Sequence, residues 1–74
     1  ELDGMVNIEK VEEILDINFD DDKVSVTIGG RIFNLIGRLP IAGETIEDKD
    51  CIYKIIEVGS NRIKRILCEK RIQE

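Results

Sequence analysis

A chain of 74 residues that is 42% hydrophobic and 36% charged is one globular domain. Folding removes only about 60% of the unfolded chain's surface at this size, which leaves room for two layers and a thin core. The composition excludes a disordered acidic tail, and no apolar run approaches the roughly 20 residues of a membrane span, so no direct membrane insertion is expected.

A formal net charge of −5 argues against nucleic acid as a partner, because phosphate recognition needs clustered Lys and Arg; only a basic patch near the C-terminus stays open. The chain has no histidine, which excludes Cys-His nucleophile pairs and the usual zinc sites. Its two cysteines, Cys51 and Cys68, are too few for a disulfide framework and read as free thiols, buried or half-buried, in a reducing compartment. The first methionine is Met5, behind Glu1-Leu2-Asp3-Gly4, and no signal peptide is visible. Residues 1–74 are therefore expected to be a single domain excised from a longer protein.

Asp3-Gly4 reads as a turn and Met5-Val6 as a short edge strand. A helix follows: Asn7 can cap it, Glu9 suits its positive end, and Ile8, Val11, Ile14 and Leu15 make an apolar stripe ending near Leu15 or Asp16. In the next loop Ile17 and Phe19 tuck under, while Asp20, Asp21 and Asp22 form the one candidate metal site, since hard cations take carboxylate oxygens. The spacing of a calcium loop, with its distal bidentate Glu, is missing, which favours a solvated loop.

A second helix starts at Ser25 or Thr27 and runs to Ile36, with Ile28, Ile32, Leu35 and Ile36 buried and Phe33 widening the stripe. Gly29 and Gly30 in its first turns cost about 1 kcal/mol each relative to Ala, so something offsets them. Close packing of the backbone at Gly30 is one reading; an amide nest for an anion, with Gly29, Gly30 and Arg38 as cofactor-binding residues, is the other. Gly37 and Pro40 stop the helix, and the residues from Pro40 to Gly43 turn into an extended segment where Ile46 faces inward.

The run at residues 51–58 is rich in β-branched and aromatic residues and predicts a strand with Tyr53 and Ile55 on one face and Ile52, Ile56 and Val58 on the other. Gly59-Ser60-Asn61 is a hairpin loop, and residues 62–72 return as a last strand. Ile63 and Ile66 stand an odd number of positions apart, which calls for a bulge if both are buried. A helix over residues 61–73 fits the same spacing; the short loop favours the strand. The result is an α+β fold, two helices packed on a small, mainly antiparallel sheet. No Ser-His-Asp set, phosphate loop or isolated carboxylate pair appears, so the chain reads as no enzyme.

The ordered set Asp3-Gly4, Thr27-x-x-Gly30, Leu35-x-Gly37-Arg38-x-Pro40-x-x-Gly43-Glu44, Tyr53-x-Ile55 and Arg62-Ile63-x-x-Ile66 resembles the transporter-associated domain of the CorC/HlyC family over nearly the whole chain. Gly29 departs from it, standing where the family usually carries a side chain, and neither cysteine is a pattern position. The resemblance implies a fold like a subdomain of the FAD-binding, PCMH-like oxidoreductases. It also implies a place at the C-terminus of hemolysin-related membrane proteins, behind transmembrane and CBS domains or an ion antiporter, on the cytoplasmic face of the cell membrane. The implied role is modulation of ion transport, magnesium and cobalt included. The implied partner is the rest of the parent chain, and a homodimer is compatible with this. No cofactor is expected; FAD or an adenine nucleotide would follow from fold analogy alone.

Overall fold

A computed structural model of the chain describes residues 1–19 and 25–71. The elements run β1 (Leu2–Asp3), α1 (Ile8–Leu15), α2 (Ile28–Ile36), β2 (Thr45–Glu47), β3 (Cys51–Val58) and β4 (Ile63–Lys70). The four strands form one antiparallel sheet in the order β1-β4-β3-β2, and the helices pack on one of its faces.

The first strand is Leu2–Asp3, where the sequence suggested Met5-Val6. Leu2 and Asp3 pair with Ile66 and Arg65. The chain then turns at once, because the Met5 amide donates to the Asp3 carboxylate at 2.8 Å and the Val6 amide to the Asp3 carbonyl at 3.1 Å. A side-chain acceptor two residues back stabilises a turn and takes Met5 out of the ladder.

Both helices begin as expected and are pinned to each other where they start. Asn7 caps α1 by accepting from the Glu9 amide, and Thr27 caps α2 by accepting from the Gly30 amide. The caps also pair across a single β-bridge, in which the Ile8 amide donates to the Val26 carbonyl and the Ile28 amide to the Val6 carbonyl. Each helix thus satisfies an orphan amide of the other. Both end in left-handed caps, Asp16 at φ 54° and Gly37 at φ 71°.

Close packing at the glycine pair falls on Gly29, one residue before the expected Gly30. The Gly29 amide donates to the Gly4 carbonyl at 2.9 Å, and a Cβ on Gly29 would lie 2.8 Å from that same oxygen. Gly4 is wedged in turn against β4, where a Cβ would stand 2.1 Å from the Ile63 carbonyl. Two bare backbones are what allow α2, the first turn and β4 to stack.

The core comprises Val11, Phe19, Ile28, Ile32, Ile46, Cys51, Tyr53, Ile55, Ile63 and Ile66. Three residues expected in the helix stripes lie outside it: Ile14, Phe33 and Leu35 are 54, 47 and 42% exposed. At ~100° per residue Ile14 is turned about 90° from the line of Ile8, Val11 and Leu15, and Phe33 about 140° from Ile28. Leu35 is on the stripe by angle but sits at its margin, in the final turn of α2. The bulge expected near Ile63 is present as a compensating pair. Register runs Ile55 with Ile66, Glu57 with Arg65 and Val58 with Ile63, so Ile56 and Lys64 each fall out of the ladder. That slip brings Ile63 and Ile66 to the same buried face.

Candidate functional site

Two features of this fold carry more than apolar packing: a sealed polar cluster under α2 and an open groove at the start of the same helix. The cluster begins with Arg31. Three residues after Ile28 it lies on the buried side of α2, and it is only 2% exposed. Its Nε donates to Asp48 Oδ2 at 2.7 Å and its Nη2 to Asp48 Oδ1 at 2.9 Å, a bidentate pair. Tyr53, fully buried, donates its hydroxyl to Asp48 Oδ2 at 2.5 Å, and the Lys49 amide donates to Oδ1 at 2.7 Å. The Phe19 ring stacks on the guanidinium, its centroid 4.3 Å from Cζ, a cation–π contact in a desolvated setting.

The connection that carries Asp48 is closed around it. Its amide donates to the Cys51 carbonyl, and Arg71 donates from Nη1 to the Asp48 carbonyl and from its own amide to the Asp50 carbonyl. Burial by itself would push the Asp48 carboxyl up, but the hydrogen bonds from Arg31, Tyr53 and the Lys49 amide hold it below the ordinary carboxylate value. Burial opposes the charge on Arg31 as well, and Asp48 outweighs it, leaving the guanidinium raised. The Tyr53 phenol is pushed up by burial and then by Asp48. Among the described residues no buried side-chain polar atom lacks a partner. Such a cluster ties α2 to the β2–β3 connection and admits neither water nor substrate.

The groove, about 470 Å³, is mostly apolar and opens where α2 starts. Gly29 and Gly30 form part of its wall. The α2 amides nearest it are already engaged: Ile28 with Val6, Gly29 with Gly4 and Gly30 with Thr27 Oγ1. Arg38 is not among its lining residues. Instead it grips the Glu44 carboxylate with both terminal nitrogens, Nη1 to Oε1 at 3.1 Å, while the Ile41 amide also donates to Oε1. Hydrogen bonding to Arg38 and the Ile41 amide holds the Glu44 carboxyl below its ordinary value. The structure therefore brings Gly29 and Gly30 together and leaves Arg38 with the turn at residues 40–43. Asp20, Asp21 and Asp22 lie outside the described residues. Among the described ones no group of three or more His, Cys, Asp or Glu could hold a metal ion, and no helix is long and apolar enough to cross a membrane.

Sequence reasoning passed over Arg31 and Asp48. Arg31 falls at the 3.6-residue spacing of the buried stripe, and a charge inside an apolar stripe is the signal of a buried partner. Asp48 gave no such sign, because it stands among other charged residues in a connection.

Fold and site together define a small two-layer α+β domain braced by an internal ion pair. The chain belongs to the transporter associated domain family, CorC_HlyC, whose model matches residues 1–71. The magnesium and cobalt efflux protein CorC of Buchnera aphidicola subsp. Baizongia pistaciae is 37% identical over 60 residues, covering 81% of this chain and 21% of that protein. Its Escherichia coli K12 counterpart of the same name is 34% identical over 63 residues, covering 85% and 21%. The solved transporter associated domain from Nitrosomonas europaea superposes with a TM-score of 0.83 at 27% identity, over 95% of this chain and 83% of that one. The chain thus spans about one fifth of the length of the curated relatives it matches.

Proposed function

We propose that this domain is a non-catalytic accessory unit of a larger membrane protein that exports divalent metal ions such as magnesium and cobalt. It acts at the cytoplasmic face by docking on the rest of its own polypeptide. The observation that carries the reading is the family match over residues 1–71 in a chain amounting to 21% of the relatives, both named for magnesium and cobalt efflux.

Two features of the structure support it. The groups with chemical potential, Arg31, Asp48 and Tyr53, are sealed from solvent and spend their hydrogen bonds on each other, which suits a rigid brace and not turnover. Exposed charge is also unevenly shared: Lys64, Arg65 and Lys70 outnumber Glu69 along β4, and Glu9, Glu13 and Asp16 outnumber Lys10 along α1 and its end, a bias that orients a docking partner more than it adds affinity.

Excising residues 1–71 from the parent protein tests this. Cells loaded with magnesium or cobalt are followed for efflux, and the membrane level of the protein is measured in parallel. The expected result is an altered efflux rate or metal dependence at an unchanged membrane level. Efflux indistinguishable from that of the intact parent overturns the reading.

A further inference from the structure

The groove at the start of α2 gathers apolar side chains that the core does not use. Met5, Val26 and Phe33, 60, 67 and 47% exposed, line it together with Leu39 and the buried Ile63. Three of the seven large hydrophobic residues left exposed among the described residues therefore line one groove. Single apolar residues are ordinary on a folded surface, whereas several around one groove mark a contact site.

Much of the polar wall is already engaged. The Gly29 and Gly30 amides donate to the Gly4 carbonyl and to Thr27 Oγ1, and Ser25 Oγ accepts from Asn34 Nδ2 at 3.0 Å. A small ligand is oriented by a few convergent hydrogen-bonding groups, and several of the candidates here are spent within the domain. That favours an occupant held by apolar contact and kept close by other means. Among the described residues the one charge in the lining is positive. The half-exposed Arg62 stands 3.7 Å from Asp3 Oδ1, an oxygen that already accepts from the Met5 amide at 2.8 Å.

We infer, resting on the accessory role proposed above, that the occupant is a segment of the same parent polypeptide outside residues 1–74. That segment presents large apolar side chains to Met5, Val26 and Phe33 and a carboxylate to Arg62, which orients it. Chain length makes such an occupant available. The domain amounts to 21% of the relatives it matches, so in a parent of that kind about four fifths of the polypeptide is tethered to it. Three side chains and a groove fall short of the roughly 800 Å² per partner that a free-standing complex buries. Tethering makes up the difference, since it holds the segment at millimolar effective concentration.

Photocrosslinking in the full-length parent tests this, with p-benzoylphenylalanine in place of Phe33 and crosslinked peptides identified by mass spectrometry after irradiation in membranes. The expected adduct joins position 33 to a peptide of the parent outside residues 1–74. The same probe in place of Ile14, exposed on α1 and not lining the groove, should not give it. Val26→Glu and Arg62→Glu, both at exposed positions, should each lower the yield from position 33 roughly tenfold. The Nitrosomonas domain was solved as a chain of which this one covers 83%, so the unit folds alone, and an unchanged urea midpoint of each variant domain shows that the fold is kept. An adduct to a second copy of residues 1–74, to lipid or to another protein overturns the inference, as does no adduct or a yield indifferent to both substitutions. The accessory role is read separately. Efflux altered by excising residues 1–71, with no such adduct, leaves that role standing and moves the docking to another face; efflux unaltered by the excision removes the role whatever the crosslink shows.

Discussion

Replacing Asp48 by Asn is the sharpest perturbation of this fold. The amide is nearly isosteric with the carboxylate, so packing around it is preserved and the loss is electrostatic. The substituted side chain could still accept through its one oxygen. Its NH₂ group would then face donors, Arg31 Nε and the Tyr53 hydroxyl, which now stand 2.7 and 2.5 Å from Oδ2 of the native carboxylate. Arg31, 2% exposed, would keep a full charge in the core without its counter-ion. Breaking one side of a buried pair costs about 3–5 kcal/mol, whereas a domain of this length has only ~4–11 kcal/mol in total.

The variant should therefore lose from about a quarter to all of its stability. Urea titration followed by circular dichroism at the helix band measures the effect, and a loss below about 1 kcal/mol would refute the claim that this pair braces the fold. A companion variant, Arg31→Met with Asp48→Leu, removes both charges and should recover part of the loss, because replacing a buried ion pair by apolar side chains is often close to neutral. Recovery is incomplete because the Tyr53 hydroxyl and the Lys49 amide lose their acceptor. The pH dependence has a definite sign. The folded Asp48 carboxyl lies below its ordinary value, so the stability it adds is present above about pH 4 and is lost as pH falls through the folded value. Asp48→Asn should flatten that acid limb.

Three further outcomes follow from the same structure. Tyr53→Phe removes one donor to a buried carboxylate and should cost about 1.5–3 kcal/mol by urea titration, with the far-UV spectrum unchanged. Gly29→Ala should destabilise although alanine favours helices, since its Cβ would lie 2.8 Å from the Gly4 carbonyl oxygen; Gly30→Ala, whose Cβ would meet only Thr27 Oγ1 at 3.2 Å, should be milder, and the reverse order in thermal melts would contradict the assigned contact. Burial and the neighbouring Cys51 push the Cys68 thiol up to about 12, and burial pushes the Cys51 thiol up too. Iodoacetamide at about pH 8 should modify Cys68 of the native domain roughly a thousandfold more slowly than in the urea-unfolded chain, and Cys51 more slowly as well. Comparable rates would show that the thiols are accessible.

Most of the architecture was legible in the sequence because local chemistry and tertiary packing agree along much of this chain. Asn7 and Thr27 cap, Gly37 and Pro40 stop a helix, Ile46 and Tyr53 face inward, and the odd spacing of Ile63 and Ile66 requires the slip that the ladder shows at Ile56 and Lys64. What escaped depends on partners far along the chain. Met5 and Val6 have strand-like side chains, but the Asp3 carboxylate turns the backbone before they can pair. Gly29 and Gly30 are alike locally, and only the Gly4 carbonyl makes one of them indispensable. The spacing puts Arg31 within the buried stripe of α2, but only the fold supplies its partner, Asp48, 17 positions away. The groove had no counterpart in the sequence reading, because its apolar lining comes from Met5, Val26 and Phe33, which are far apart or on different faces until the chain folds.

The accessory role itself is tested most directly by carrying Asp48→Asn in the full-length parent, which unseats this domain through its core while leaving every residue outside it intact. Efflux of magnesium or cobalt from loaded cells is compared with the unaltered parent at matched membrane levels. The proposal predicts a change in rate or metal dependence like that caused by excising residues 1–71. Normal efflux from a parent whose domain is shown by limited proteolysis to be unfolded would contradict it.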